Sequence, residues 1–247
     1  MEEIKARLGT IVQGPVEGIP EPAQHNDIVP KTFDSREQWG NCVHPIRDQA
    51  QCGSCWAFGA SETLSDRICI ASDKKTDVIL SPEDLVACDG WNMGCNGGIL
   101  PWAWSYLTNT GAVEDSCFPY SSDKGAVPTC AKKCQNDKDS FTKYKCKKNS
   151  VVQASGVDKI KAEISKNGPM ETGFTVYEDF MNYESGVYHH TTGNQLGGHA
   201  VKIVGYGDGY WICANSWSEK WGEKGFFNIG FGECGIDSAA YACTPDL

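Results

Sequence analysis

The sequence predicts an α+β protein with a helical first half and a second half built mostly of strands. Three observations carry this reading. Ala57, Ala60, Leu64 and Ile68 recur at three- and four-residue steps, the period of a helix face. Ser81-Pro82-Glu83-Asp84 is a helix start: a serine cap, a proline in the first turn, and acids at the positive end of the helix dipole. After residue 169 the apolar runs become short and are broken by glycines.

The elements follow in chain order. Residues 13–30 hold Pro15, Pro20, Pro22 and Pro30 and no helical periodicity, which predicts an extended linker before a body that begins near 31–34. The first helix is expected from Cys55 to Ile70, the second from Ser81, and the third from Leu100 to Thr108. The stretch to about 150 is turn-rich and carries Lys132, Lys133, Lys138, Lys143, Lys145, Lys147 and Lys148, which reads as a solvated face. Val157, Ile160 and Ile164 make a short helix, stopped by Asn167-Gly168-Pro169. Ala200–Gly205, Tyr210–Ala214 and Gly225–Ile229 read as strands.

Composition narrows the classes. The chain of 247 residues is long enough to bury a sizeable core as one large domain or two packed lobes. Acids outnumber bases 32 to 22, for a net charge of −10, which argues against nucleic-acid binding. No apolar run has the 18 or so residues of a membrane span. Thirteen cysteines point to a disulfide-bonded protein of the secretory pathway, with at least one thiol left over. The first residues, Met1 to Arg7, are not a signal peptide, and there is no Asn-x-Ser/Thr sequon. Nothing suggests more than a monomer.

The chemistry concentrates in Gln49-Ala50-Gln51-Cys52-Gly53-Ser54-Cys55-Trp56. Cys55 opens a helix, where the positive dipole end stabilises a thiolate. Of the five histidines, only His199 has a catalytic setting, in Gly197-Gly198-His199-Ala200 at the expected start of a strand. His25 and His44 read as surface residues. Asn215-Ser216-Trp217 follows, then Trp221-Gly222, and an asparagine oxygen can hold an imidazole in orientation. Taken alone, Cys52-x-x-Cys55 also suits thiol–disulfide exchange, but the compact βαβ setting of such proteins is missing. A zinc site finds no repeated Cys/His spacing.

Cys-Gly-Ser-Cys-Trp, Gly-Gly-His-Ala and Asn-Ser-Trp, in this order, resemble the papain family of cysteine proteases. His199 and Asn215 stand 144 and 160 residues after Cys55, the asparagine a little late against a usual spacing of about 130–150. Residues 33–39, 65–69, Cys95-Asn96-Gly97-Gly98 and Gly168-Pro169-Met170-Glu171 resemble its cathepsin B branch. The resemblance covers residues 31–247. It implies two lobes, helical over about 39–119 plus the C-terminal end and β-barrel-like over about 120–233, with the cleft between them. It implies Cys55 as nucleophile, His199 as general base and acid, Asn215 as its orienter, and Trp217 with Trp221 as shield. Gln49 and the Cys55 amide become oxyanion donors. Gly53, Ser54, Gly97, Gly98 and Ala200 become the substrate-binding cleft. Peptide and protein substrates and cystatin-like inhibitors are the implied partners. No cofactor or metal is implied. An endosomal or lysosomal vesicle, or secretion, is the implied location. A papain-fold binding protein without catalysis would usually replace the Cys, His or Asn, and none is replaced here.

The chain departs from that branch in two places. Only 12 residues separate Cys117 from Cys130, and none is a histidine, so the occluding loop that makes a peptidyl-dipeptidase is shortened. The pair His189-His190 aligns elsewhere. Endopeptidase action is therefore expected. The base of the S2 pocket falls on Ala239 rather than a glutamate, which favours apolar P2 residues over Arg, unless Asp237 leans in. By resemblance, the disulfides are Cys42–Cys69, Cys52–Cys95, Cys88–Cys130 and Cys117–Cys134, with Cys146–Cys234 as a guess, Cys213 a buried free thiol and Cys243 left over. Residues 5–15 resemble the C-terminal part of a prosegment that crosses the cleft in the non-productive direction. The expected division is 1–29 partial propeptide and 30–247 peptidase domain, with maturation between about Asp27 and Lys31. The usual helical first half is not seen, so a zymogen fragment or short propeptide with weak, acid-released inhibition is expected, against the alternative of a disordered leader.

Overall fold

The computed structural model describes residues 2–23 and 28–247. The expectation for His25 lies outside them, as does part of the expected maturation stretch.

The helices are α1 (Glu2–Lys5), α2 (Ser35–Trp39), α3 (Cys55–Ala71), α4 (Pro82–Cys88), α5 (Leu100–Asn109) and α6 (Val157–Asn167). The strands are β1 (Phe33–Asp34), β2 (Val152–Ala154), β3 (Met170–Tyr177), β4 (Val187–Tyr188), β5 (Gln195–Tyr206), β6 (Tyr210–Ala214), β7 (Phe226–Gly230) and β8 (Ala240–Ala242). They form one sheet in the order β2-β8-β3-β5-β6-β7-β4, with β1 added beside β5. All pairings are antiparallel except β4 with β7.

Two cores result. One gathers Trp56, Leu64, Ile68, Leu85, Trp104 and Leu107 from the helices. The other gathers Phe174, Phe180, Ile203, Trp211 and Phe227 from the sheet, covered by Ile160 and Ile164 of α6. Helix α3 is buried on every side from Cys55 to Cys69, and its charged residues Asp66 and Arg67 find partners inside. Asp66 accepts from Lys202 Nζ of β5 at 2.6 Å, and Arg67 donates to Glu163 of α6 at 3.0 Å. These bonds tie the helical lobe to the sheet.

The structure corrects several expectations. Strand β5 begins at Gln195, so His199 lies within the strand instead of at its start. His44 is not a surface residue. It is 8% exposed, with Nδ1 2.7 Å from Asp66 and Nε2 2.8 Å from Asp77. The stretch 112–146 packs on the helical side, through the Ala112–Tyr144 bridge and Cys146 in the helical core, so the strand-rich lobe starts near Val152 rather than 120. Within it Lys143 is no solvated lysine, since it donates to both oxygens of buried Asp84. Five disulfides form: Cys42–Cys69, Cys52–Cys95, Cys88–Cys130, Cys117–Cys134 and Cys146–Cys243. The expected Cys146–Cys234 bond is absent, because Cys146 bridges Pro245 and so meets Cys243 two residues away in the C-terminal segment. Cys55, Cys213 and Cys234 are free. Residues 13–23 are not a detached linker: Val16 and Pro20 hydrogen-bond to Gln153 on β2.

Candidate active site

Cys55 is the first residue of α3 and is completely buried. The preceding Ser54 does not cap the helix. Its hydroxyl turns to Tyr120 Oη at 2.9 Å. The first amides of α3 therefore keep their positive end turned toward the thiol. The Cys52–Cys95 disulfide draws the loop before α3 against Cys95, and Gly53 N–H donates to Cys95 O at 2.9 Å. A Cβ on Gly53 would meet that same carbonyl at 2.5 Å, which explains the glycine. With Cys52 oxidised, Cys52 and Cys55 are no dithiol pair, and thiol–disulfide exchange loses its chemistry.

His199 arrives on β5. Its Nε2 and Asn215 Oδ1 are 2.7 Å apart, leaving Nδ1 buried and without a hydrogen bond among the described residues. Trp217 covers this pair: it is 2% exposed, its ring lies 4.6 Å from the imidazole, and Trp221 packs edge-on against it. Ala200, next to His199, packs in one core cluster with Cys55, so α3 and β5 meet at the thiol.

Gln49 is fully buried, and its side chain is held at both ends. Ser216 Oγ donates to Oε1 at 2.7 Å, which turns Nε2 toward Cys52 O at 2.9 Å and Arg7 O at 2.8 Å. Ser216 N–H also donates to Asn215 Oδ1 at 2.8 Å. One serine thus couples the orienter of the imidazole to the glutamine. Sequence reasoning passed over Ser216, although it stands inside the Asn-Ser-Trp motif. It also missed Tyr120, whose hydroxyl donates to Gln49 O at 2.8 Å and whose ring packs edge-on to Phe58.

The cleft is filled by the chain's own N-terminal segment. Thr10 pairs with Gly98 in a parallel bridge. Gly98 N–H donates to Gly9 O at 2.6 Å, Ile11 N–H to Gly98 O at 3.1 Å, and Thr10 N–H to Gly198 O at 3.1 Å. Gly98 must lack a side chain because a Cβ there would press into the Trp56 ring at 2.5 Å. Gly97 lies against the Gly9 carbonyl. The Thr10 hydroxyl shares a hydrogen bond with Cys55 Sγ at 3.0 Å. Beside it, Thr10, Ile11, Leu100, Gly173 and Ala239 line one small cavity. Asp237 does not lean into it, since its carboxylate accepts from Trp211 Nε1 at 3.2 Å and Gly232 N–H at 2.7 Å.

Burial sets the charges. It pushes the Cys55 thiol up, with the Thr10 hydroxyl and the amides of Ala200, Gly9 and Trp56 opposing. It lowers the His199 imidazole to about 4, against the raising effect of Asn215. With the segment in place, burial holds both groups toward their neutral forms.

The sequence matches the papain family cysteine protease description over residues 29–244. The chain belongs to the papain family of cysteine proteases. Within the family it is similar to cathepsin B-like cysteine proteinase 4 of Caenorhabditis elegans, 41% identical with all of this chain and 86% of that protein covered. It is also similar to cathepsin B-like CP2 of Giardia intestinalis, 44% identical over 87% of this chain and 74% of that protein. Among solved structures, procathepsin B S9 of Trypanosoma congolense superposes with a TM-score of 0.92 at 32% identity, covering 99% of this chain and 88% of that one. Digestive procathepsin L2 of Tenebrio molitor superposes at 0.81 with 29% identity, covering 100% and 80%. The enzyme is thus a cathepsin B-like cysteine protease.

Proposed function

We propose that this protease is an endopeptidase held in a zymogen form, with residues 1–29 as the covering propeptide and 30–247 as the peptidase domain. The observation that carries the reading is the extended segment at 9–11, with Thr10 bridged to Gly98 and bonded to the thiol, and the Arg7 carbonyl on the glutamine amide. The parallel pairing with Gly98 sets this segment in the direction opposite to an antiparallel substrate, which supports a cover that is not itself cut.

In the uncovered enzyme, water returns to the cleft and the penalty on charge falls. Cys55 then passes its proton to His199 Nδ1, and the pair becomes thiolate and imidazolium. The thiolate attacks the scissile carbonyl carbon, and the electron pair of the C=O moves to oxygen. Gln49 Nε2 and the Cys55 amide hold that oxyanion. The intermediate collapses, the C–N bond breaks, and the imidazolium protonates the departing amine. Water, deprotonated by His199, attacks the thioester, and the released sulfur takes its place as thiolate again. Asn215 keeps the ring in orientation throughout, and Trp217 and Trp221 keep water from that hydrogen bond.

Specificity follows from two surfaces. The short segment after Cys117 folds back on the loop before α3: Tyr120 bonds Gln49 O, and Gln51 N–H donates to Asp123 O at 2.9 Å. A cleft open on the leaving-group side suits cutting within chains. The S2 cavity over Ala239 offers no carboxylate, since Asp237 is engaged elsewhere. Matched fluorogenic reporters test both points. Phe-Arg and Leu-Arg reporters are expected to be cleaved at least tenfold more efficiently than Arg-Arg. Release of C-terminal dipeptides is expected below a tenth of the internal cleavage rate. Equal rates for Arg-Arg, or dipeptide release matching internal cleavage, would contradict the respective assignment. Peptides and proteins in an acidic vesicle or outside the cell are the proposed substrates, and cystatin-like proteins that fill the open cleft are proposed inhibitors of the monomeric enzyme.

A further inference from the structure

We propose that Gln153 is a backbone-reading exosite for extended polypeptide, lying beyond the catalytic cleft on the side that receives the part of the substrate before the cut. Gln153 stands on β2 and is 4% exposed. Its amide reads a single residue of the covering segment twice: Oε1 accepts from Val16 N–H at 2.9 Å, and Nε2 donates to Val16 O at 3.4 Å. Tyr241 Oη donates to the same Oε1 at 2.9 Å, which sets the amide's orientation before any peptide arrives. The main-chain amide of Gln153 donates to Pro20 O at 2.9 Å. All of these contacts to the segment go to backbone atoms, so they suit any extended sequence. An open groove of about 390 Å³ lies between this segment and α5, walled by Ile19 on one side and by Pro101, Ser105, Thr108 and Val151 on the other.

The exosite continues the cleft. The segment leaves the Gly98 and Gly198 edges at Thr10 and Ile11 and reaches Gln153 at Val16, six residues on from Thr10. A productive peptide lies in the opposite direction on the same edges, so its residues upstream of the cut take the path that residues 11–20 take here. Once the segment has left, water takes the places of Val16 N–H on Oε1 and Val16 O on Nε2, while Tyr241 still holds Oε1 in orientation. An extended substrate that reaches it takes both places.

This inference rests on the reading of residues 1–29 as a removable cover. The test uses the acid-activated enzyme and two fluorogenic peptides with the same residues around the cut, one carrying three residues upstream and one carrying ten. The longer peptide is expected to have about a tenfold higher kcat/KM, expressed in KM, as two hydrogen bonds of ordinary strength allow. Gln153→Ala should bring the ratio of the two peptides to about one. A longer peptide N-methylated over its upstream half should do the same on the wild-type enzyme, independently of how the variant folds. A wild-type ratio near one, or a tenfold ratio that survives either control, overturns the exosite while the cover reading stands. Failure of acid treatment to release activity toward either peptide overturns the cover reading and the exosite with it.

Discussion

Gln49→Ala is expected to lower kcat by about 10²–10³-fold with little change in KM, because the lost donor acts on charge that develops only in the transition state. Gln49 is placed for this. Both ends of its amide are engaged, Oε1 by Ser216 and Nε2 by Cys52 O, and the remaining Nε2 proton points to the Arg7 carbonyl in the covered cleft. That carbonyl marks where a substrate oxyanion would sit. Steady-state kinetics on the activated enzyme check the effect. A loss smaller than tenfold, or one confined to KM, would remove Gln49 from the oxyanion site.

Asp66→Ala is expected to destabilise the fold by about 3–5 kcal/mol, the cost of leaving a buried charge without its partner. Asp66 is inaccessible and serves three donors: Lys202 Nζ at 2.6 Å, His44 Nδ1 at 2.7 Å and the His44 amide at 3.1 Å. Lys202 is itself only 2% exposed, so water cannot replace the carboxylate. Thermal melts in a Cys55→Ser background, where self-digestion is absent, measure the loss. A change below 1 kcal/mol would show that the lobes are not tied here.

The same neighbourhood sets a pH dependence. Burial pushes the Glu62 carboxyl up to about 7, against Lys202 and Arg47. For His44, burial opposes the charge, yet the bonds to Asp66 and Asp77 raise the imidazole above its usual value. Both groups hold protons more tightly folded than unfolded. Their contribution to stability is present in acid, below their unfolded values, and is lost as pH rises, for Glu62 through about 7. The melting midpoint is expected to fall between about pH 6.5 and pH 8, above the range in which His199, lowered to about 4, acts in the opposite sense, and Glu62→Gln to flatten that fall. A wild-type midpoint that rises over this interval would contradict the assignment.

What could be read from the residues depends on how local the cause is. The Ser81 cap and the proline after it lie beside each other in sequence, and α4 begins there, with Ser81 Oγ accepting from Asp84 N–H. The steps of Ala57, Ala60, Leu64 and Ile68 fall within α3. Strand β3 gave no alternation to read, because Met170 to Phe174 are buried on both faces. His44 looked like a surface residue because Asp66, its buried partner, is 22 residues away. Cys146–Cys243 could not be separated from Cys146–Cys234 by composition, since what decides it is the bridge from Cys146 to Pro245. Cys55, His199 and Asn215 were legible as motifs. The supports of the candidate site were not: Ser216 holds Gln49 across 167 residues, and Thr10 meets Cys55 across 45. Such contacts exist only once the lobes have closed on each other.

The most direct test is hydrolysis of a Phe-Arg fluorogenic peptide after acid treatment, by the wild-type chain and by Cys55→Ser. The predicted result is activity that appears as the N-terminal segment is removed, requires a reductant, and is absent from Cys55→Ser. Equal activity in both proteins would contradict Cys55 as the nucleophile. No activity in the wild type after the segment has been cut away would contradict the account of an enzyme held shut by its own N-terminal segment at Thr10.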